Sequence, residues 1–293
     1  MKYQKIQCKS ALHKVNGKFP YKLDLNIYRG CEHGCKYCYA CYSHRYLNSE
    51  DYFDEIFIKE NIAERLDQEL SKNKKKLVVN IGGVCDSYQP IEAQTLIMRD
   101  ILKVMIKHKN PIILSTKSNL ILRDIDLIQA LSEVTTVIIA STITIKSEMD
   151  QRIIEPNAST SEERFIMLET IRKQTNAIVG VHCMPIMPFI NDTYENMEYL
   201  MRRTKEIDAH YFLPGTLYLR GATRKVYFSM IQKNYPHLNQ KYTQFFSYDF
   251  DRSPYKKHLY GEIVMPLKKA YNINSNYMKF VPKDKNIEQL SLF

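Results

Sequence analysis

The chain has 293 residues and a mass of 34.6 kDa, with 44% hydrophobic and 25% charged residues. That suffices for one large core plus an appendage, and excludes both a disordered chain and a small domain that needs a disulfide or metal to fold. The 42 Lys and Arg against 32 Asp and Glu leave a net charge of +10, which points to a polyanionic partner.

The surplus is local. Residues 220–285 hold 13 Lys/Arg and 4 Asp/Glu, whereas residues 1–219 hold 29 and 27. The longest uncharged run, Gln174–Asn191, contains two prolines, so no membrane-spanning helix is expected. The opening MKYQKIQCKS has no apolar signal core. Four of the seven cysteines fall within eleven residues, which reads as a metal site in a reducing cytoplasm rather than a disulfide framework.

From about residue 22, short β-branched runs alternate with longer amphipathic ones. In chain order the expected strands are Lys22–Ile27, Leu77–Ile81, Ile112–Ser115, Val137–Ser141, Ala177–Met184 and Tyr211–Leu219. The expected helices are Glu60–Asn73, Ala93–His108, Asp124–Ser132, Ser161–Gln174 and Thr193–Ile207. Six strands alternating with five helices predict an α/β fold with parallel strands, either an open sheet or a barrel. In both, chemistry belongs at the C-terminal strand ends. Beyond residue 219 the texture changes, because 10 of the 21 tyrosines lie in 211–293 among Lys, Arg and Phe.

The first strand opens into Cys31-Glu-His-Gly-Cys35-Lys-Tyr-Cys38-Tyr39. Three thiolates at C-x3-C-x2-C on one loop can hold three corners of a [4Fe–4S] cluster and leave one iron open for substrate. The spacing also allows a structural zinc site using His33 or His44, or three unrelated buried cysteines. Cys41 could close the fourth iron and make an electron-transfer centre, or stand as a free thiol.

With Tyr37 as its aromatic, this loop resembles the C-x3-C-x-aromatic-C signature of radical S-adenosylmethionine (SAM) enzymes. YRGCEHGCKYCYA, GGVCDSYQPIE, STKS, RIIEP and MPIMPFIND follow one another as in the spore photoproduct lyase-like, or DNA repair photolyase-like, group. The resemblance covers about residues 20–215. It implies a partial six-stranded (β/α)6 barrel, a [4Fe–4S] cluster held by Cys31, Cys35 and Cys38, and SAM on the open iron. It also implies reductive SAM cleavage to a radical that abstracts hydrogen from substrate.

By the same resemblance, Gly82 and Gly83 meet the SAM amino group and Lys117 its carboxylate. Ser141 and Thr142 meet the ribose, Met184 forms the adenine-side wall, and the Tyr39 backbone meets the adenine. Cys85, followed by Asp86 and Ser87, resembles the cysteine that returns a hydrogen atom to product, with Tyr37 and Tyr39 as relays. The implied activity is a DNA-repair lyase reversing a thymine adduct, served by an electron donor such as flavodoxin or ferredoxin. The block pattern fits the broader group better than spore photoproduct lyase proper. A radical enzyme acting on RNA, a peptide or a small metabolite, or an iron–sulfur electron carrier, therefore stands as the alternative.

The expected organisation is an N-terminal segment (1–19), the barrel (20–219), a basic aromatic extension for DNA (220–285) and a tail (286–293). In the extension, Arg220, Arg224, Lys225, Lys256, Lys257, Lys268 and Lys269 are candidates for phosphate contacts. Gln289, Leu290, Ser291, Leu292 and Phe293 resemble the peptide with which bacterial proteins dock on the DNA polymerase sliding clamp, after a polar leash.

Overall fold

The computed structural model describes residues 1–17, 19–47, 51–72, 75–274 and 276–282. The clamp-like peptide, 289–293, lies outside them.

Ten strands form among the described residues: β1 (Lys2–Ile6), β2 (Leu12–Lys14), β3 (Leu23–Leu25), β4 (Tyr28–Arg29), β5 (Glu55–Lys59), β6 (Val79–Ile81), β7 (Ile112–Thr116), β8 (Val137–Thr142), β9 (Ile178–Ile186) and β10 (Tyr211–Thr216). Strands β3, β6, β7, β8, β9 and β10 lie side by side in that order, all parallel, with β2 antiparallel on the β3 edge. Each of the six expected strands is present. A second sheet, in the order β1-β5-β4, pairs β1 parallel and β4 antiparallel to β5. The sequence reading had no strand in 1–19 and none at 55–59, since strands of three to five residues carry little periodicity.

The helices are α1 (Ile62–Lys72), α2 (Glu92–Thr95), α3 (Ile97–His108), α4 (Ile125–Val134), α5 (Glu148–Ile154), α6 (Ser161–Gln174), α7 (Tyr194–Glu206), α8 (Gly221–Asn234), α9 (Asn239–Phe245), α10 (Ser253–His258) and α11 (Met265–Ala270). The span read as one helix over 93–108 breaks at Leu96, whose φ is +56°. Helix α6 starts with a capping box: the Thr160 hydroxyl accepts from Glu163 N, and the Glu163 carboxylate accepts from Thr160 N.

Strand register sorts the parallel sheet into two faces. Leu25, Ile81, Leu114, Ile139 and Val179 align across it and pack against apolar side chains of the helices, such as Leu66, Leu102, Leu168 and Leu200. The alternate residues point inward. At the N-terminal strand ends this inner face is apolar, and Tyr277, Phe280 and Val281 pack there against Val78, Ile113, Ile138 and Tyr211. The Tyr211 ring crosses at Gly180, where any Cβ would collide with it. Toward the C-terminal ends the inner face turns polar, with Asp24, Asn80, Ser115, Lys117, Thr142 and His182. One end of the partial barrel is therefore plugged, and chemistry is left to the other.

Residues 220–285 do not form one surface. Helix α8 packs on the cysteine loop, in a cluster joining Tyr227, Met230, Ile231 and Tyr242 to Cys35 and Tyr37. Leu259, Val264 and Leu267 join the main core, and Tyr277–Val281 plugs the far end. Two tyrosines of this stretch, Tyr227 and Tyr242, are fully buried core residues, and Tyr235, Tyr255, Tyr260, Tyr271 and Tyr277 are partly buried against the core. No helix among the described residues is long and apolar enough to cross a membrane.

Candidate functional site

The cysteine loop begins where β4 ends at Gly30. Its φ of +83° and the nearness of the Glu55 carbonyl leave no room for a side chain. Four distant parts of the chain then hold the loop through five hydrogen bonds. Cys31 N donates to Tyr52 O (3.2 Å), and Glu32 N donates to Gln89 Oε1 (2.8 Å). Lys36 N donates to Ile154 O (2.9 Å), and Asn157 Nδ2 donates to Glu32 O (2.7 Å). The Thr223 hydroxyl donates to Cys38 O (2.8 Å). A loop with this many long-range partners is set in place before any ligand arrives.

Cys31 and Cys35 are buried and Cys38 is half-buried. Burial pushes the Cys35 thiol up to about 12 and the Cys31 thiol well above its ordinary range, and the neighbouring sulfurs add to both. For Cys38 a hydrogen bond with Cys41 leads and burial follows. Packed this way, the three thiolates are stable only against a cation, so binding iron would release their protons. A cubane takes each thiolate on a different iron, so its cysteines need not converge on one point. Among the described residues no three Cys, His, Asp or Glu side chains do. Three thiols on one loop are the donor set that a three-cysteine [4Fe–4S] cluster takes. Cys41 donates its thiol to Cys38 O at 3.1 Å and sits beside the set.

Two buried charge groups brace the loop, and neither was read from the sequence. His33 Nε2 lies 3.1 Å from Asp86 Oδ2, with both side chains buried. Asp86 also accepts from Lys117 N, Tyr88 N and the Thr116 hydroxyl. Burial works against the Asp86 carboxylate, but His33 and those N–H groups outweigh it and hold its pKa well below the carboxylate range. The second group is Tyr37–Glu155–Arg164. The Tyr37 hydroxyl donates to Glu155 Oε1, and Arg164 Nη2 lies 2.5 Å from Glu155 Oε2. Arg164 is fully buried and also donates to the carbonyls of Ser159 and Thr142, both at 2.7 Å.

Gly82 ends β6 with φ +88°, and a Cβ at Gly83 would meet the Asp24 carboxylate at 2.6 Å. With no side chain of its own, this turn lets partners reach the backbone, and the Tyr39 hydroxyl donates to Gly83 O. Lys117 faces inward, its Nζ 5.7 Å from the centre of the Tyr37 ring. Burial opposes its charge, but Cys35 and Glu155 outweigh that and raise its pKa.

The two strand-end hydroxyls separate. Ser141 is fully buried on the helix side and donates to Thr116 O at 2.7 Å. The ribose reading cannot include Ser141, because alternation turns it away from the barrel interior. Thr142 is the inward one. Met184 also faces inward and covers Gly215.

Cys85 is 6% exposed on the turn after Gly83, its Sγ 4.0 Å from Asn26 Oδ1, which also accepts from Val84 N. The two expected relay tyrosines diverge. Tyr39 lies on Gly83 O, two residues from Cys85, whereas the Tyr37 hydroxyl is engaged by Glu155 in a different core cluster. Sequence reasoning missed Tyr52, whose hydroxyl donates to Val84 O while its carbonyl accepts from Cys31 N. Tyr52 thus ties the first cluster cysteine to the Cys85 turn. It also missed His182, an inward residue of β9 whose Nε2 lies 3.1 Å from the Tyr211 hydroxyl. Burial, with Lys117 adding, lowers His182 to about 4, so its ring is neutral near pH 7.

The family model of the radical SAM superfamily matches residues 25–203, the strands and turns just described. The chain belongs to the radical SAM superfamily. Its members use a [4Fe–4S] cluster and SAM, and the cysteine loop is where this radical SAM chain would hold both. It is 27% identical to an uncharacterized protein of Mycobacterium tuberculosis over 96% of this chain and 84% of that one. It is 29% identical to an uncharacterized protein of Methanocaldococcus jannaschii over 79% and 83%.

In fold it is similar to a spore photoproduct lyase variant with bound AdoMet and dinucleoside spore photoproduct. The TM-score is 0.65 with 14% identity, over 91% of this chain and 79% of that one. A spore photoproduct lyase complexed with dinucleoside spore photoproduct matches at TM-score 0.65 and 13% identity, with the same coverage.

Proposed function

We propose that this radical SAM enzyme is a DNA-repair lyase that reverses a thymine-derived adduct, with Cys85 returning a hydrogen atom to the product radical. The observation that carries the reading is the place and state of Cys85. It is a buried thiol on the SAM-side turn, one residue beyond the Val84 carbonyl that Tyr52 holds. Burial pushes it up to about 12, so it keeps its proton at neutral pH. A hydrogen-atom donor must be a thiol, not a thiolate.

When bound, the cluster and SAM supply the electron and the hydrogen-abstracting radical. The chain's own residues then orient and shield. Gly82 and Gly83 allow a close approach to the backbone, Lys117 and Thr142 face the interior, and Cys85 gives up its S–H as a C–H bond forms on the product. Tyr39, beside the same turn, is the relay tyrosine of this reading. The substrate class rests on the fold's likeness to spore photoproduct lyase bound to its dinucleoside.

The test is Cys85→Ala with dinucleoside spore photoproduct. Wild type should release thymine, and the variant should cleave SAM while losing most clean thymine recovery to side products. SAM cleavage by wild type without any thymine would remove the substrate assignment. Equally clean recovery by the variant would remove Cys85 as donor.

The same reading gives residues 289–293 the role of a tether to the sliding clamp, and a flavodoxin or ferredoxin that of electron donor. A tether raises the local enzyme concentration on DNA with no new DNA contact. Deleting 289–293 should abolish capture on immobilised clamp and leave SAM cleavage intact. Capture that survives the deletion ends the tether.

A further inference from the structure

At the N-terminal ends of β9 and β10, opposite the cysteine loop, two depressions of about 270 and 720 Å³ adjoin at Asn272 and Ile273. Their lining is basic: Arg172 and Lys205 come from the barrel helices, and Lys268, Lys269 and Lys279 from the C-terminal region. The one carboxylate among the described lining residues, Asp208, is engaged by Arg172 at 2.8 Å. Four lysines are left over.

Lys268 is the anomaly. It is 7% exposed, it lines the larger depression, and its ammonium has no hydrogen-bond or ion-pair partner among the described residues. Burial alone acts on it, lowering its pKa. Its stem is buried while its ammonium still opens on the depression, and a partly desolvated cation with no counter-charge among the described residues is complemented by an anion from outside the chain. An oxygen-rich anion that reaches several ammonium groups at once is a phosphate.

We propose that this cleft binds phosphate groups, with Lys268 as its anchor and Lys205, Lys269 and Lys279 around it. The site is separate from the radical chemistry, since it opens at the plugged end of the barrel. The phosphate can come from a nucleic-acid strand or from a free polyphosphate.

Binding of pyrophosphate and of a short single-stranded DNA to the full chain, without SAM, separates these sources. Pyrophosphate binding with no DNA binding assigns a free phosphate, whereas DNA binding that pyrophosphate displaces assigns the strand. In either case Lys268→Met should weaken binding at least about tenfold, the loss of one charge-assisted contact. That variant should be no less stable than wild type in phosphate-free buffer, because it replaces an unpaired ammonium by an apolar side chain of similar length. The surface variant Lys269→Ala/Lys279→Ala should fold as wild type and weaken the same ligand. No binding of either probe by wild type, or unchanged binding by both variants, overturns the proposal. With no SAM or lesion present, that failure leaves the reading of Cys85 untouched.

Discussion

Replacing Cys35 by alanine should abolish SAM cleavage and strip the protein of its cluster iron, while the fold survives. The thiol lies in the loop that Gln89, Ile154, Asn157 and Thr223 already hold through backbone contacts, so the loop does not depend on that side chain. A cubane with two protein thiolates instead of three loses a corner and is not retained. Iron and sulfide analysis after anaerobic reconstitution, with far-UV circular dichroism for the fold, reads both halves of the result. Cys41→Ala is the contrast. Its thiol donates to Cys38 O and meets the Cys38 thiol only as a hydrogen-bond partner, so iron content and SAM cleavage should stay close to wild type. Loss of the cluster in the Cys41 variant, or its retention in the Cys35 variant, would reverse the assignment of ligands.

The largest expected loss of stability is Arg164→Met, at about 3–5 kcal/mol, the cost of leaving a buried charge without its partner. Arg164 and Glu155 are both buried, and the pair connects α6 to Tyr37 in the cysteine loop. In wild type burial opposes the Glu155 carboxylate, but Arg164 and Lys117 outweigh it and keep its pKa below the ordinary value. That contribution is present at neutral pH and is lost as pH falls through the folded-state pKa.

Without Arg164, burial pushes Glu155 the other way, and the folded state holds its proton more tightly than the unfolded chain. The gap between variant and wild type should then narrow as pH is lowered from 7 toward 5, which urea unfolding at several pH values will show. The double variant Arg164→Met/Glu155→Gln should recover part of the loss, since the two residues share one interaction. A pH-independent gap would show that the destabilisation is packing alone.

Much of the scaffold was legible in the chain. All six barrel strands came from short β-branched runs between amphipathic helices, and α6 and α7 begin where the cap residues place them. The cysteine loop was legible because its ligands sit within eight residues of one another, so spacing alone carries chemistry. The small sheet was not, because β1 and β5 are brought together from 53 residues apart and each is only five residues long. Helix α5 escaped as well. It is seven residues long, and its sequence significance lies in Glu155 just beyond it, a carboxylate placed for a partner in another helix.

The sequence by itself determined the superfamily, the spacing of the three candidate cluster cysteines and the alternation of strands with helices, since each depends on neighbours in the chain. The tertiary structure decided which side chains face the barrel. Alternation says that Ser141 and Thr142 point opposite ways, but only the register with β7 and β9 says which is inside. It likewise sent the Tyr37 hydroxyl to Glu155, 118 residues away, and left Tyr39 on Gly83. The net charge of +10 shows the same division. Composition located the surplus lysines, and packing alone buried the stem of Lys268, with no counter-charge among the described residues, at the end of the barrel away from the cysteine loop, because burial is a property of contacts between segments distant in sequence.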